Sequence, residues 1–284
     1  MSDQSTAAST AERPLEEQVL HRVEDGVAWI TLNRPEAHNA ITPQQRNRVI
    51  QLLQLASDDL FVRAVVLTAV GRGFCTGADL RAAQFDLPPR PEGAPDKAAG
   101  EIARLIRGGA QQLILAVMDC EKPVIGAING TAAGIGAHLA FACDLVLAAQ
   151  SAKFVEVFVR RGLVPDGGGA YLLPRMIGVQ KTKELMFFGD SVSADEAAEI
   201  GLVNRVVPDD ELAKVAGEWA GRLASGPTRS IALTKQLVNR SLDSDRATAF
   251  YEESVAQDMN MTTRDAQEGV QSFVERRDAE YLGW

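Results

Sequence analysis

The stretch PVIGAINGTAAGIGAHLAFACD, residues 123–144, joins a short apolar run to a glycine-lined turn and a second apolar run. The pattern predicts a strand over 124–128 and a helix over 137–142, with Gly134 and Gly136 flanking Ile135 before the helix. Such a turn leaves free backbone N–H groups at the helix start, where an oxyanion or a phosphate can bind. A tight turn that needs glycine only for packing explains the same residues, so this stretch alone leaves function open.

A second segment has the same construction. Residues 73–81 read GFCTGADLR and follow the apolar run 64–69, which predicts another strand, a small-residue turn and a polar helical start. Two turns of this type can each offer one N–H group to a single oxygen atom, which is how an oxyanion hole is usually built.

Together the two segments resemble the signatures of the crotonase (enoyl-CoA hydratase/isomerase) superfamily. The likeness continues through TLNRP at 31–35, residues 154–169 and GLV at 201–203, and it covers about residues 19–280. The run GLVPDGGG at 162–169 resembles most closely the ring-opening phenylacetate-pathway and dienoyl-CoA isomerase-like branches.

The composition is ordinary for a soluble globular protein and argues against several other classes. The 284 residues are long enough for a substantial core, and the net charge of −9 argues against nucleic acid as the main partner. Three widely spaced cysteines favour reduced thiols in a cytoplasmic protein over a disulfide framework or a metal site. Charges or prolines interrupt every apolar run, so we expect no membrane span. We expect no metal or redox cofactor, since coenzyme A belongs to the substrate.

The secondary-structure elements along the chain can be predicted in outline. Residues 1–16 have the composition of a disordered tail, and 19–33 read as a β-hairpin. A helix over 44–56 is predicted after a Thr42 cap with Pro43 at its first position. Core spacing predicts one helix over 101–118, and four prolines in 85–99 predict a loop over the active site.

The resemblance implies a more specific architecture. The fold class is α/β (α+β), with a crotonase-like spiral of ββα turns over residues 17–205 that binds acyl-CoA. Residues 206–284 would form a C-terminal helical oligomerisation module, which assembles the chain into a homotrimer or a dimer of trimers.

The resemblance also implies a set of site residues. The backbone N–H groups of Ala78 and Ile135 would form the oxyanion hole. Phe273 and Arg276 would contact coenzyme A bound to a neighbouring subunit, although a charged helix face explains them as well. The substrate-binding and CoA-binding positions are Arg34, Ala40, Gly77, Asp79, Leu80, Gly134, Phe158, Phe273 and Arg276.

The acid and base groups depart from the usual pattern. Hydratases of this superfamily use two glutamates, one to activate water and one to protonate carbon, and these positions are His138 and Phe158 here. Glu156 lies two residues before the second position and is a weaker candidate. Asp166 matches the catalytic aspartate of the isomerase branches, although an N-cap of a helix starting at Gly167 explains it too. Aromatic dehalogenases also need a histidine where this chain has Gln111.

One carboxylate is suited to isomerisation, since one base can remove a proton and return it at the other end of a dienolate. We therefore expect double-bond or ring isomerisation of an enoyl-CoA, with Asp166 as base and His138 assisting or orienting it. Three alternatives stay open: hydration of a 2-enoyl-CoA through Asp166 or Glu156, acyl-CoA binding without turnover, and an RNA-binding role, which the acidic composition disfavours.

Overall fold

The structure, a computed structural model, describes residues 13–81, 89–96 and 98–284. Within these ranges short 3₁₀ helices lie at Pro35–Ala37 and Val157–Arg161. The strands are β1 (Val19–Glu24), β2 (Val27–Leu32), β3 (Ala64–Ala69), β4 (Gly73–Cys75), β5 (Val124–Ile128), β6 (Thr131–Ala133), β7 (Leu145–Ala149), β8 (Lys153–Val155), β9 (Ser191–Ser193) and β10 (Arg205–Val207). The helices are α1 (Leu15–Gln18), α2 (Pro43–Asp58), α3 (Glu101–Gly108), α4 (Ala110–Met118), α5 (Ile135–Phe141), α6 (Gly169–Ile177), α7 (Val179–Phe188), α8 (Ala194–Glu199), α9 (Leu212–Ala224), α10 (Thr228–Ser241), α11 (Arg246–Met261) and α12 (Arg264–Glu275).

The strands form two sheets that the chain visits in turn. The larger sheet has the order β1-β2-β3-β5-β7-β10, antiparallel at the β1–β2 hairpin and parallel elsewhere. The smaller sheet has the order β4-β6-β8-β9, with only β9 antiparallel to its neighbour. Three successive strand pairs, β3–β4, β5–β6 and β7–β8, each place one strand in each sheet. This repeat gives the mixed α/β class that the sequence predicts.

The larger sheet is buried on both faces. One face packs against α2, α4 and α5 in the main hydrophobic core. The other face packs against α9, whose buried residues Val215, Ala216 and Ala220 meet Val66 and Ile125 of the sheet. The predicted division between 205 and 206 therefore does not separate the two parts of the core, since β10 extends to Val207 and α9 covers the sheet.

A buried ion pair fastens α10 to the edge of this core. The Lys235 ammonium lies 2.8 Å from the Asp144 carboxylate and also donates to the carbonyl oxygens of Val117 and Lys122. Asp144 in turn accepts the N–H of Val124, the first residue of β5. Burial raises the pKa of Asp144, and the charge of Lys235 opposes that rise.

Several predicted elements are confirmed. The hairpin lies at 19–32, and α2 begins at Pro43 after Thr42, whose hydroxyl accepts the N–H of Gln45. The Gln45 side chain accepts the N–H of Thr42 in return, which completes a capping box.

Two elements differ from prediction. The single helix expected over 101–118 is wrong, because the chain breaks at Gly109 into α3 and α4. The backbone at Gly109 passes so close to Arg46 that an added Cβ would lie 2.5 Å from the guanidinium and 2.6 Å from the carbonyl oxygen of Leu105. The turn expected after β5 also contains the short strand β6, and α5 begins at Ile135, two residues earlier than predicted.

Other predictions fall partly outside the described residues. The tail predicted over 1–16 is described only from Arg13, and its boundary lies inside α1, which begins at Leu15. Of the proline-rich segment 85–99, residues 89–96 contain neither helix nor strand, while 85–88 and 97 lie outside the described residues. In the described part of the chain, no helix has the length and apolar character needed to span a lipid bilayer.

Candidate active site

The two glycine-lined turns lie side by side at the ends of neighbouring strands. Strand β4 pairs in parallel with β6, so the chain segments that leave their carboxyl ends start from adjacent positions. At Gly136 the backbone packs directly on the carbonyl group of Cys75, and an added Cβ would lie 2.7 Å from its carbon. At Gly77, where φ is +109°, an added Cβ would lie 3.3 Å from the carbonyl oxygen of Ala133. Residues 73–81 and 134–136 are thus in contact, as predicted.

Each predicted donor amide lies where the local backbone pairing leaves its N–H group unused. Ile41 donates its N–H to the carbonyl oxygen of Gly77 and accepts the N–H of Asp79 in an isolated parallel bridge, so the N–H of Ala78 points away from Ile41. Ile135 is the first residue of α5, where a helix leaves its N–H without an intrahelical partner. The arrangement has the parts of an oxyanion hole, and the catalytic role of these amides stays a prediction.

Gly136→Ala is expected to impair this pair of turns, because the new methyl group must displace the carbonyl group of Cys75. Moving Cys75 would displace the Ala78 N–H donor in the same turn, which should lower kcat by about 10²–10³-fold. The extra methyl group in the packed turn should also lower the free energy of unfolding by about 1–3 kcal/mol. Steady-state kinetics and urea unfolding would measure both. The control is Gly221→Ala in α9, where the added Cβ meets no atom within 4 Å. Unchanged kcat in Gly136→Ala would contradict the assigned geometry.

Arg34 and Asp79 connect the loop after β2 to the first turn. The Arg34 guanidinium lies 3.0 Å from the Asp79 carboxylate, and both side chains are largely buried. Arg34 also donates to the carbonyl oxygen of Ala40 and to Gln45. Asp79 additionally accepts the N–H of Arg81. The predicted CoA-binding residues Arg34, Ala40 and Asp79 are therefore together, and Arg34 is held by the protein itself.

Asn39 is a site-forming residue that the sequence analysis missed. Its side chain is buried and donates to the carbonyl oxygens of Val70 and Gly73, while its oxygen accepts the N–H of Arg34. Its φ of +55° is a backbone conformation that asparagine tolerates better than most residues. The signal available in the sequence was an asparagine within a loop between two predicted elements.

His138 and Phe158 stand at the two positions matched to the hydratase glutamates, and their rings are in contact. His138, on α5, is fully buried, and its ring stacks on that of Phe158 with the centroids 5.2 Å apart. Phe158 also lies beneath the Gly134 turn, where an added Cβ would contact its ring. The weaker candidate Glu156 is buried as well, with Oε2 only 3.1 Å from His138 Nε2. A buried histidine–glutamate pair therefore lies at α5, the helix that follows the second turn.

Asp166 precedes a glycine whose backbone packs on both His138 and the second turn. An added Cβ at the next residue, Gly167, would overlap the Ile135 side chain and lie 3.0 Å from His138 Nδ1. The alternative role of Asp166 as a helix N-cap is wrong, because α6 begins at Gly169 and Gly168 occupies the N-cap position. Partial burial raises the pKa of Asp166 above that of an ordinary aspartate, and the neighbouring charge of His138 opposes the rise.

The remaining predicted residues lie further from this centre. Leu80 is exposed at the last described turn before residues 82–88. Phe273 is 84% exposed on α12, and Arg276 ends that helix with a left-handed backbone. Their contact with coenzyme A in a neighbouring subunit stays a prediction. Gln111, which replaces the histidine of the dehalogenases, lies on α4.

Comparison with known proteins finds similarity to enoyl-CoA hydratases and isomerases along almost the whole chain. The family model described as "Enoyl-CoA hydratase/isomerase" matches residues 22–283. The chain is 38% identical to the 1,2-epoxyphenylacetyl-CoA isomerase of Escherichia coli over 94% of its length and 99% of that protein. It is 33% identical to the crotonyl-CoA hydratase of Syntrophomonas wolfei, over 94% and 98% of the two chains.

Solved structures agree with the fold. A putative enoyl-CoA hydratase from Streptomyces coelicolor superposes with a TM-score of 0.86 and 35% identity, with all of both chains covered. The mixed α/β architecture and the C-terminal helices are those of this group of structures. Taken with the paired turns and the family match, this similarity establishes that the chain belongs to the enoyl-CoA hydratase/isomerase (crotonase) family of enzymes.

Proposed function

We propose that this enzyme isomerises an enoyl-CoA, moving a double bond or opening a strained ring, with Asp166 as the catalytic base. The observation that carries the proposal is the position of Asp166, a partly buried carboxyl group next in the chain to Gly167, whose backbone packs on Ile135 and His138. Similarity to the E. coli 1,2-epoxyphenylacetyl-CoA isomerase supports the same class of reaction.

The reaction follows from the two parts of the site. The Asp166 carboxylate takes a proton from the carbon next to the thioester carbonyl of a 3-enoyl-CoA. The electron pair of that C–H bond moves into the conjugated system and leaves a dienolate, whose negative oxygen the N–H groups of Ala78 and Ile135 stabilise. Asp166 then returns the same proton to the far end of the dienolate, which gives the 2-enoyl isomer without a net change in composition.

Two-glutamate hydration fits these residues less well. Hydration needs one group to deprotonate water and a second to protonate carbon. The positions that carry them in hydratases hold His138 and Phe158, and their rings stack on each other. The nearest glutamate, Glu156, is buried and engaged by His138.

A paired assay tests the proposal. Purified enzyme is given a 3-enoyl-CoA in one reaction and a trans-2-enoyl-CoA in another, and isomer and hydrated product are separated by chromatography. We expect isomerisation to dominate, with ring-strained aromatic thioesters tested as further substrates. Hydration that exceeds isomerisation would overturn the proposal in favour of a hydratase. Binding of all thioesters without turnover would indicate an acyl-CoA-binding protein.

We further propose that coenzyme A enters only as part of the substrate and that the enzyme acts in the cytoplasm. Proton transfer to and from carbon requires a base and hydrogen-bond donors, which the chain itself supplies. Cys75, Cys120 and Cys143 are buried and unpaired with each other, as suits a reducing compartment.

We also propose a homotrimer or a dimer of trimers that buries α11. None of the side chains of this 16-residue helix is buried, although Tyr251, Val255 and Met259 form an apolar row at four-residue spacing. Light scattering is expected to give three or six times the 30.5 kDa chain mass. Tyr251→Asp should shift the assembly to smaller species, whereas Glu253→Gln on the same helix should not. A monomeric wild-type chain would contradict the proposal.

A further inference from the structure

A cleft of about 600 Å³ is formed by the end of α2, the residues before β5 and the starts of α10 and α12. Its volume is within the usual range for ligand sites, about 300–1,000 Å³. Lys122 lies just before β5, whereas the turns of the proposed active site follow β4 and β6. Of the described residues that line the cleft, none belongs to the proposed catalytic or CoA-binding set. The cleft is therefore separate from the proposed active site.

Lys122 is a buried charge on the wall of this cleft. Only 6% of its surface is exposed, yet within the described ranges its ammonium has neither a hydrogen bond nor an ion pair. The carboxylate of the neighbouring Glu121 is already bound by Arg229, at 2.7 Å. Burial lowers the pKa of Lys122, and the charge of Glu121 opposes this fall. A buried ammonium without a partner is costly, and an anion bound in the cleft would reduce that cost.

Two further groups offer positive charge or donors to the same space. Arg264, the first residue of α12, lines the cleft and has no hydrogen bond or ion pair to any described residue. Helix α10 begins at Thr228 without a side-chain cap, so the N–H groups of its first turn have no intrahelical partner. The Thr228 hydroxyl accepts a hydrogen bond from Arg63 and keeps its own proton for another acceptor. Free N–H groups at a helix start favour phosphate oxygens.

The acidic groups on the cleft do not cancel this charge. Glu121 is compensated by Arg229, and Asp58 is exposed to solvent at the end of α2, where screening weakens its field. Lys122 and Arg264 are left as two cations without counter-ions. A phosphate monoester carries a charge of about −1.5 to −2 at pH 7, which matches two such cations better than a single carboxylate does.

Apolar side chains accompany the cations. Leu60 and Trp284 also line the cleft, and each has half or more of its surface exposed. The segment that carries Trp284 is held in place, because the Asp265 carboxylate accepts the N–H groups of Leu282 and Gly283. An indole ring can stack on the flat ring of a nucleobase. The cleft therefore offers contacts to an organic group as well as to a phosphate.

We propose that this cleft binds a phosphate monoester of nucleotide size, with Lys122 and Arg264 on the phosphate and Trp284 beside the base. The proposal goes beyond the isomerase function and does not depend on it, because the two sites share no residue.

Calorimetric titration of the full chain in phosphate-free buffer tests the proposal with adenosine 5′-monophosphate (AMP), inorganic phosphate and adenosine. We expect AMP to bind more tightly than phosphate, and adenosine, which lacks the charge, to show no detectable binding. Lys122→Met should weaken AMP binding by about 10–100-fold, the effect of one hydrogen bond to a charged group. The variant loses an uncompensated buried charge, so its Tm should not fall below that of the wild type. Absence of AMP binding to the wild type, or unchanged affinity in Lys122→Met, would overturn the proposal.

Two further variants separate electrostatic effects from damage to the fold. Lys183→Met makes the same change at an exposed lysine of α7 and should keep the wild-type affinity for AMP. Glu121→Gln removes the carboxylate beside Lys122 and should tighten AMP binding by about two- to fivefold. Damage to the cleft would weaken binding instead, so a weaker Glu121→Gln complex would contradict the assigned charges.

Two sources supply this ligand chemistry, a free nucleotide and the phosphorylated adenosine end of coenzyme A. Titration with coenzyme A distinguishes them. Two molecules bound per wild-type chain and one per Lys122→Met chain would identify the coenzyme as a ligand of the cleft. Equal stoichiometry in the two proteins would identify a free nucleotide, and the AMP titration decides the proposal in either case.

Discussion

Asp166→Asn is expected to lower kcat for isomerisation by about 10²–10⁴-fold, the usual range for removing a general base. The amide keeps the shape of the side chain but cannot take a proton from carbon. KM should change little, because the oxyanion donors Ala78 and Ile135 and the rest of the binding surface are unaltered. Initial rates with a 3-enoyl-CoA over a range of concentrations would separate kcat from KM.

The matched control is Asp190→Asn, at a side chain that is 81% exposed and paired with Arg160 at the surface. It carries the same chemical change and should keep wild-type kcat. In wild-type enzyme, activity should rise with pH as Asp166 ionises. Because burial raises the pKa of Asp166, this rise should occur above the pKa of an ordinary aspartate. An Asp166→Asn enzyme within about threefold of the wild-type rate would show that another group is the base.

Lys235→Met is expected to lower the free energy of unfolding by about 3–5 kcal/mol, because it leaves the Asp144 carboxylate buried without its counter-ion. The change also removes the hydrogen bonds from Lys235 to the carbonyl groups of Val117 and Lys122. Urea unfolding followed by circular dichroism would measure the loss. Methionine fills a similar volume, so the missing charge accounts for most of the effect.

The pH dependence identifies the cause of this loss. Burial already raises the pKa of Asp144 in the folded state, and removing Lys235 raises it further. The folded variant then binds a proton more tightly than the unfolded chain, so its deficit should shrink as pH falls toward the ordinary aspartate pKa. Asp144→Asn added to Lys235→Met should recover much of the stability at neutral pH.

Lys214→Met is the matched control for this experiment. Lys214 and Glu218 form an exposed pair on α9 at 3.9 Å. Its loss should cost less than about 1 kcal/mol. Equal losses in Lys214→Met and Lys235→Met would contradict the role assigned to the buried pair.

Local signals in the sequence predicted the elements whose ends are set by their own residues. Thr42 and Pro43 mark the start of α2, and residues 124–128 form a strand because an apolar run meets an Asn-Gly turn. The break at Gly109 was not predicted, because the apolar spacing of residues 101–118 continues across it. Periodicity reports a helical face and is insensitive to the backbone conformation of a single residue within it.

The candidate site shows the same division. The two turns could be predicted because each has its own glycine pattern, and their adjacency follows from the pairing of β4 with β6. Glu156 is a weaker candidate in the sequence because a shift of two residues from the expected glutamate keeps a side chain on the same face in a strand but not in a helix. Its contact with His138 arises where the chain leaves β8 and enters a 3₁₀ helix, a local geometry that the sequence pattern does not specify.

The covering of the sheet by α9 has a consequence for synthesis of the chain. When the ribosome has synthesised β10, the larger sheet still lacks α9. The sheet face with Val66, Ile125 and Leu147 is then uncovered. That helix ends at Ala224, so the nascent chain must lengthen further before the sheet can close. At about 5–20 residues per second, the apolar face of each growing chain stays uncovered for seconds, long enough for a chaperone to bind it.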